Sequence, residues 1–159
     1  MEAVWHQQTK GLETESFLPK LTAPVLYPTF LGFDFRRMKA KSGKLTVWTT
    51  PRMKARTKLL RNLKDIFRRF VSQPVDRVIA LINPKLRGWM NYFRIGNAGK
   101  CFSYVRDWVE KKVRRHLMRA RNWRGFGWNR WRRDWLYQNL GLYNDYKVRY
   151  YRPESAASR

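Results

Sequence analysis

The spacing of apolar residues changes along this chain, and each change marks a new kind of element. Over residues 1–29 no period holds. Pro19, Pro24 and Pro28 interrupt Leu21, Val25 and Leu26, which predicts an extended or disordered arm. From residue 30 the period is two: Leu31, Phe33 and Phe35 alternate with Gly32, Asp34 and Arg36. Ser42-Gly43 supplies a turn, and Leu45, Val47 and Trp48 follow. This predicts a β-hairpin over residues 30–49. Two strands alone are marginal in water, so the hairpin needs a surface to lie against.

After Thr50-Pro51, an N-cap followed by a first-turn proline, the spacing becomes helical. Leu59, Leu60, Leu63, Ile66, Phe67 and Phe70 form one stripe, with Lys54, Lys58, Arg61 and Arg68 mostly on the other side. Gln73-Pro74 restarts the helix, and Val75, Val78, Ile79 and Ile82 continue an apolar face. Asn83-Pro84 is expected to break or kink it, because proline lacks the N–H and crowds the preceding turn. Leu86, Trp89, Met90 and Phe93 then resume the spacing, and residues 96–99 form a connector with Gly96 as a C-cap. A third helix places Phe102, Val105, Trp108, Val109, Val113 and Leu117 on one face.

The predicted fold is therefore mainly α: a small three-helix bundle over residues 50–122, preceded by the short hairpin. Its expected core is Leu59, Leu63, Ile79, Leu86, Trp89, Phe93, Val105, Trp108 and Leu117. Residues 123–152 form a basic aromatic segment, in which Trp123, Phe126, Trp128, Trp131 and Trp135 interleave with Arg124, Arg130, Arg132 and Arg133. Gly125 and Gly127 argue against a helix before Trp131, and a short one fits from there to Leu140. Trp123, Trp128 and Trp131 suit either burial or stacking on bases. Residues 153–159 read as a disordered tail.

Charge turns this bundle into a polyanion binder. The 159 residues hold 35 Lys and Arg against 11 Asp and Glu, a formal charge of +24. Such a surface repels itself unless a polyanion or counterions screen it. At 43% hydrophobic and 16% aromatic residues the chain is too apolar for a disordered basic tail. No apolar run approaches the ~20 residues of a membrane span, and the first residues do not resemble a secretory signal. A single cysteine, Cys101, excludes an internal disulfide and fits a reducing compartment, the bacterial cytoplasm or its organellar equivalent.

Catalytic parts are missing. His6, His116 and Cys101 fall short of the about four ligands that a zinc site needs. Asp107 and Glu110 are the only close carboxylate pair in a regular stretch, and beside Arg106, Lys111 and Arg114 they read as helix-surface ion pairs. No Gly-rich phosphate loop occurs. The expectation is a binding protein with no catalytic site, metal, cofactor, small-molecule substrate or membrane partner. Its first candidates for phosphate contacts are Arg52, Lys54, Lys58 and Arg61 on the first helix. Lys85, Arg87 and Arg94 follow, then Arg114, Arg115, Arg119 and Arg121.

Residues 81–93 read Leu-Ile-Asn-Pro-Lys-Leu-Arg-Gly-Trp-Met-Asn-Tyr-Phe. With Asn83, Pro84, Gly88, Trp89, Tyr92 and Phe93, this stretch resembles a motif of group II intron maturases. Upstream, Phe30-Leu31-Gly32-Phe33 looks like the last motif of the palm in intron-encoded reverse transcriptases. Downstream, Phe102, Trp108, Trp135-Leu136-Tyr137 and Leu140-Gly141-Leu142 extend the likeness, so that it spans roughly residues 30–150. The resemblance implies a thumb, or domain X: a helical bundle beside the palm that grips intron RNA and flanks the template–primer duplex. The splicing chemistry belongs to the RNA, and the hairpin is then a remnant of the palm.

The departures are as informative. The family's Tyr-x-Asp-Asp turn and its upstream acid are absent, as are the fingers, most of the palm and the zinc-type endonuclease of some members. The expectation is a truncated reading frame or a stand-alone domain that cannot reverse-transcribe by itself. It would bind group II intron RNA and assist splicing, reading shape and backbone rather than bases. Alternatives are a module binding DNA or an RNA–DNA duplex, a fragment docking on a separate reverse-transcriptase part, and a remnant without function.

Overall fold

The computed structural model describes residues 31–39 and 42–149. The expected arm over residues 1–29, Phe30 of the palm-like motif and the tail over residues 153–159 lie outside the described residues. Strand β1 (Phe33–Lys39) pairs antiparallel with β2 (Leu45–Pro51), Phe33 opposite Pro51 and Lys39 opposite Leu45. Four helices follow: α1 (Met53–Arg69), α2 (Val75–Tyr92), α3 (Gly99–Ala120) and the short α4 (Arg133–Gln138). The architecture is mainly helical with a hairpin in front, as the two periodicities predict.

Two boundaries differ from the sequence reading. Thr50 and Pro51 do not open α1; they end β2, paired with Asp34 and Phe33. Pro51 is tolerated there because both strands of a two-stranded sheet are edges, and the cross-strand bond at this end is made by the next residue's N–H. The chain then turns through Arg52, whose backbone N–H donates to Gly32 O at 2.8 Å. Asn83-Pro84 does not break the second helix either, since α2 runs uninterrupted through 18 residues with Pro84 inside it. An interior proline costs about 3 kcal/mol. Against it stand Val78, Ile79, Ile82, Leu86 and Met90, all buried on one face of α2. Each is worth about 1.5–3 kcal/mol, so the face outweighs the lost hydrogen bond.

Helices α1, α2 and α3 close around Leu63, Val78, Ile82, Leu86, Met90, Phe102, Val105, Val109 and Val113, with Leu136 of α4 joining them. The expected core is present except at two tryptophans. Trp89 and Trp108 are only half-buried. Trp108 lies under Lys112, whose Nζ is 5.3 Å from its ring centroid. Among the described residues, the tryptophan that does enter the core is Trp131, 5% exposed.

The hairpin root rests on the C-terminal end of α2. Phe33 packs on Phe93 at 4.9 Å between ring centroids, and the Tyr92 hydroxyl donates to Leu31 O at 2.7 Å. Gly96 is not the cap of α2, which ends at Tyr92 with Phe93 as its C-cap. It adopts φ +80°, and a Cβ there would sit 2.7 Å from Thr49 O. Glycine at 96 is what lets β2 approach, and Asn97 N–H donates to the same Thr49 oxygen at 2.7 Å.

The segment after α4 has no regular structure, yet it is pinned to α2. The Asn83 amide donates to Gly141 O at 2.9 Å and accepts from Tyr143 N–H at 3.0 Å. Arg149 N–H donates to Arg94 O at 3.0 Å.

Candidate nucleic-acid interface

Helix α3 carries basic residues on the turns its apolar stripe leaves free. Lys111, Arg115 and Arg119 recur every four residues and are exposed, forming one row. Lys112 lies beside that row and is half-buried. Lys64 of α1 joins them where α1 packs on α3. Burial first, then the charges of Arg115, Lys64, Arg119 and Lys111, hold the Lys112 ammonium below its ordinary pKa of 10.5. A cluster of cations that weakens one of its own members is poised for an anion.

Lys54, Lys58 and Arg61 are exposed on α1, spaced to form one stripe. Arg52 sits half-buried at the N-cap of α1. Lys85 and Arg87 are exposed on α2, and Arg121 is exposed just past α3.

Two of the expected phosphate contacts are instead internal. Arg114 is 2% exposed: Nη1 lies 3.3 Å from Glu110 Oε2, and Nε donates to Trp131 O at 2.8 Å. Glu110 is itself buried at 1%, so it is no helix-surface carboxylate. It also receives Arg133 Nε at 2.9 Å and the Tyr137 hydroxyl at 2.7 Å. The residues that follow α3 fold back over this side of the helix, which is why the face is covered. Burial, with the hydrogen bond and charge of Glu110, raises the Tyr137 phenol well above its ordinary 10.0. Asp107, by contrast, is the surface residue expected, 3.3 Å from both Arg106 Nε and Arg133 Nη2. Arg94 is 8% exposed, with Nη2 2.7 Å from Asp145 Oδ2. Neither Arg94 nor Arg114 is free to meet a phosphate.

The α3–α4 connection continues the basic surface. Phe126 lies close to the row on α3, its ring centroid 5.2 Å from Lys111 Nζ and 5.8 Å from the Arg115 guanidinium. The Arg130 guanidinium sits 3.9 Å from the Trp123 centroid, and that of Arg114 sits 4.4 Å from Trp128. Met118 and Gly127 lie in an open cleft here with Trp123, Trp128, Arg124 and Arg130. The three undecided tryptophans thus divide: Trp131 is buried, whereas Trp123 and Trp128 are 44% and 48% exposed.

Lys64, Lys112 and Arg130 were absent from the sequence candidates. Lys64 follows Arg61 by three on α1, a spacing visible in the sequence, but its approach to Lys112 depends on how α1 packs on α3. The motif residues divide as well. Asn83, Tyr92 and Phe93 hold the C-terminal segment and the hairpin, whereas nothing approaches within 4 Å of a Cβ built on Gly88, and the structure gives no reason for glycine there. Among the described residues no three His, Cys, Asp or Glu side chains converge as metal ligands, and no helix is long and apolar enough to cross a membrane. His116 is buried, with Nε2 3.0 Å from Gln73 O.

A comparison with known families matches residues 56–135, half of the chain, to the group II intron, maturase-specific domain. The match runs from the first turn of α1 into α4. No curated protein matches the chain.

Proposed function

We propose, from the premise that this chain belongs to the group II intron maturase-specific domain family, that it binds group II intron RNA and stabilises the fold in which that RNA splices. A maturase-related role comes with the family; direct contact with the RNA is our reading. The observation that carries it is the cluster of Lys64, Lys111, Lys112, Arg115 and Arg119, like charges gathered where α1 meets α3; burial first, and then these charges, lower the pKa of Lys112. Phosphates laid along it would relieve the repulsion and release counterions. The protein's part is to bind and position, and bond exchange stays with the RNA.

The test is a titration of the protein against a structured group II intron RNA across a range of salt, with tRNA and duplex DNA as competitors. About eight phosphate contacts would give a logarithmic salt slope near −6. Tight binding that survives tRNA is the expected result. Equal affinity for every polyanion, collapsing together as salt rises, would sink the specific reading.

A second reading has its own observation. The distal half of the hairpin leaves Met38, Leu45 and Val47 44%, 54% and 65% exposed. Apolar side chains on a two-stranded sheet suit docking against a separate reverse-transcriptase part, such as a palm. Co-purification with such a part, lost on Val47→Lys, would support it.

A further inference from the structure

We infer that the loop between α3 and α4 receives an unpaired nucleobase of RNA, with Trp128 as its stacking platform; this rests on the RNA-binding reading above.

The loop has a built shape. Trp123 N–H donates to Met118 O at 2.9 Å, and Trp131 N–H donates to Gly127 O at 3.0 Å. Asn122, Gly125 and Gly127 take left-handed φ values of 54°, 101° and 71°. A Cβ on Gly127 would lie 2.6 Å from the Trp131 ring, so only glycine lets this turn close over the buried indole. The chain places Trp131 inward and Trp128 outward by this turn, although burying a second indole would be worth about 1.5–3 kcal/mol or more.

Trp128 is 48% exposed, yet its ring is held. The Arg114 guanidinium lies 4.4 Å from its centroid and is itself fixed by Glu110 and Trp131 O. Arg114 is 2% exposed, so the cation against this ring belongs to the interior while nearly half of Trp128 stays open to solvent. A half-exposed indole backed by a buried, hydrogen-bonded cation suits a flat aromatic ligand.

Arg124 and Arg130 line the same cleft. Flat aromatic recognition beside two cations fits a base with its flanking phosphates. An apolar protein segment would leave both arginines unmatched, and a fully paired duplex offers no free base face.

The experiment titrates the full chain by fluorescence anisotropy against three RNA probes of equal length: a single strand, the same strand carrying abasic positions, and a paired duplex. Trp128→Ala is expected to weaken single-strand binding by about 5- to 150-fold, the range for losing one stacked base. Affinity for the abasic and duplex probes should stay unchanged, and Trp128→Tyr, which keeps a π-face, should retain most single-strand affinity. Matched thermal transitions for the variants guard against a folding defect. An equal loss on all three probes, or no loss on the single strand, would overturn the inference. Wild-type binding to group II intron RNA in the same series separates the two readings. Selective intron binding without base dependence overturns this inference alone, whereas base dependence without preference for the intron overturns the intron reading alone.

Discussion

The Asn83 side chain accepts the backbone N–H of Tyr143 at 3.0 Å across 60 positions of sequence. Its Nδ2 donates to Gly141 O, so one amide acts as a short piece of β-ladder for a segment that has no strand to pair with. The contact also gives α2 a purpose for an asparagine beside an interior proline: the residue serves the C-terminal segment rather than a break in the helix.

Asn83→Ala is therefore expected to destabilise the protein by about 2 kcal/mol, two hydrogen bonds at roughly 1 kcal/mol each. A urea unfolding midpoint measures it. Asn83→Asp keeps the acceptor for Tyr143 N–H but sets a carboxylate oxygen against Gly141 O, so less than half the loss should return. An unchanged midpoint for Asn83→Ala would show that the segment is held elsewhere.

Arg94 and Arg115 are expected to fail in opposite ways. Arg94→Leu leaves Asp145 unpaired and should cost about 2–3 kcal/mol of stability, below the range for a fully buried pair because Asp145 is partly exposed. Its effect on the salt dependence of RNA binding should be nil. Arg115→Ala should shift stability by no more than about 0.5 kcal/mol while flattening the salt slope by about 0.7. Finding the same slope for Arg115→Ala and the wild type would remove Arg115 from the interface.

These two arginines also show where sequence reading reaches its limit. The apolar stripes through Leu63, Ile82 and Val109 are local patterns, and they located the helices. Whether a cation on a helix faces water depends on what lies over it. Arg114 and Arg115 are neighbours in sequence, and only the fold of residues 121–137 covers one and leaves the other bare. The boundary at Thr50-Pro51 was misplaced for a related reason. A Thr-Pro pair suits a helix start, but pairing with Asp34 and Phe33 kept both residues in the strand. Trp131 and Trp128 were indistinguishable by composition, and the left-handed turn at Gly127 separates them.

Tyrosine ionisation should limit stability in alkali. Burial is the largest cause raising Tyr137, Tyr143 and Tyr146 above their ordinary 10.0. Above about pH 10 the unfolded chain sheds these phenolic protons while the folded chain keeps them. The unfolded state then binds fewer protons, and stability falls as pH rises from there. Tyr137→Phe should reduce that slope between pH 10 and 12 in urea titrations. A slope identical to the wild type would mean that Tyr137 ionises freely in the fold.

Lys112 should display a conflict between stability and binding. Burial and four neighbouring cations lower its pKa, so below the lowered value both folded and unfolded chains carry the proton and the repulsion stands in full. As pH climbs through the lowered pKa toward 10.5, the folded chain releases the proton first, and stability rises across that window. Lys112→Gln removes the repulsion at every pH. The variant should be more stable than the wild type near neutrality, lose the alkaline gain, and bind RNA with a salt slope flatter by about 0.7. Tyrosine ionisation persists in Lys112→Gln, so subtracting the two profiles isolates the lysine. A variant that is less stable at neutral pH would mean that Lys112 is held by packing of its stem on Trp108 rather than opposed by its neighbours, and the cluster would lose its claim to be a poised anion site.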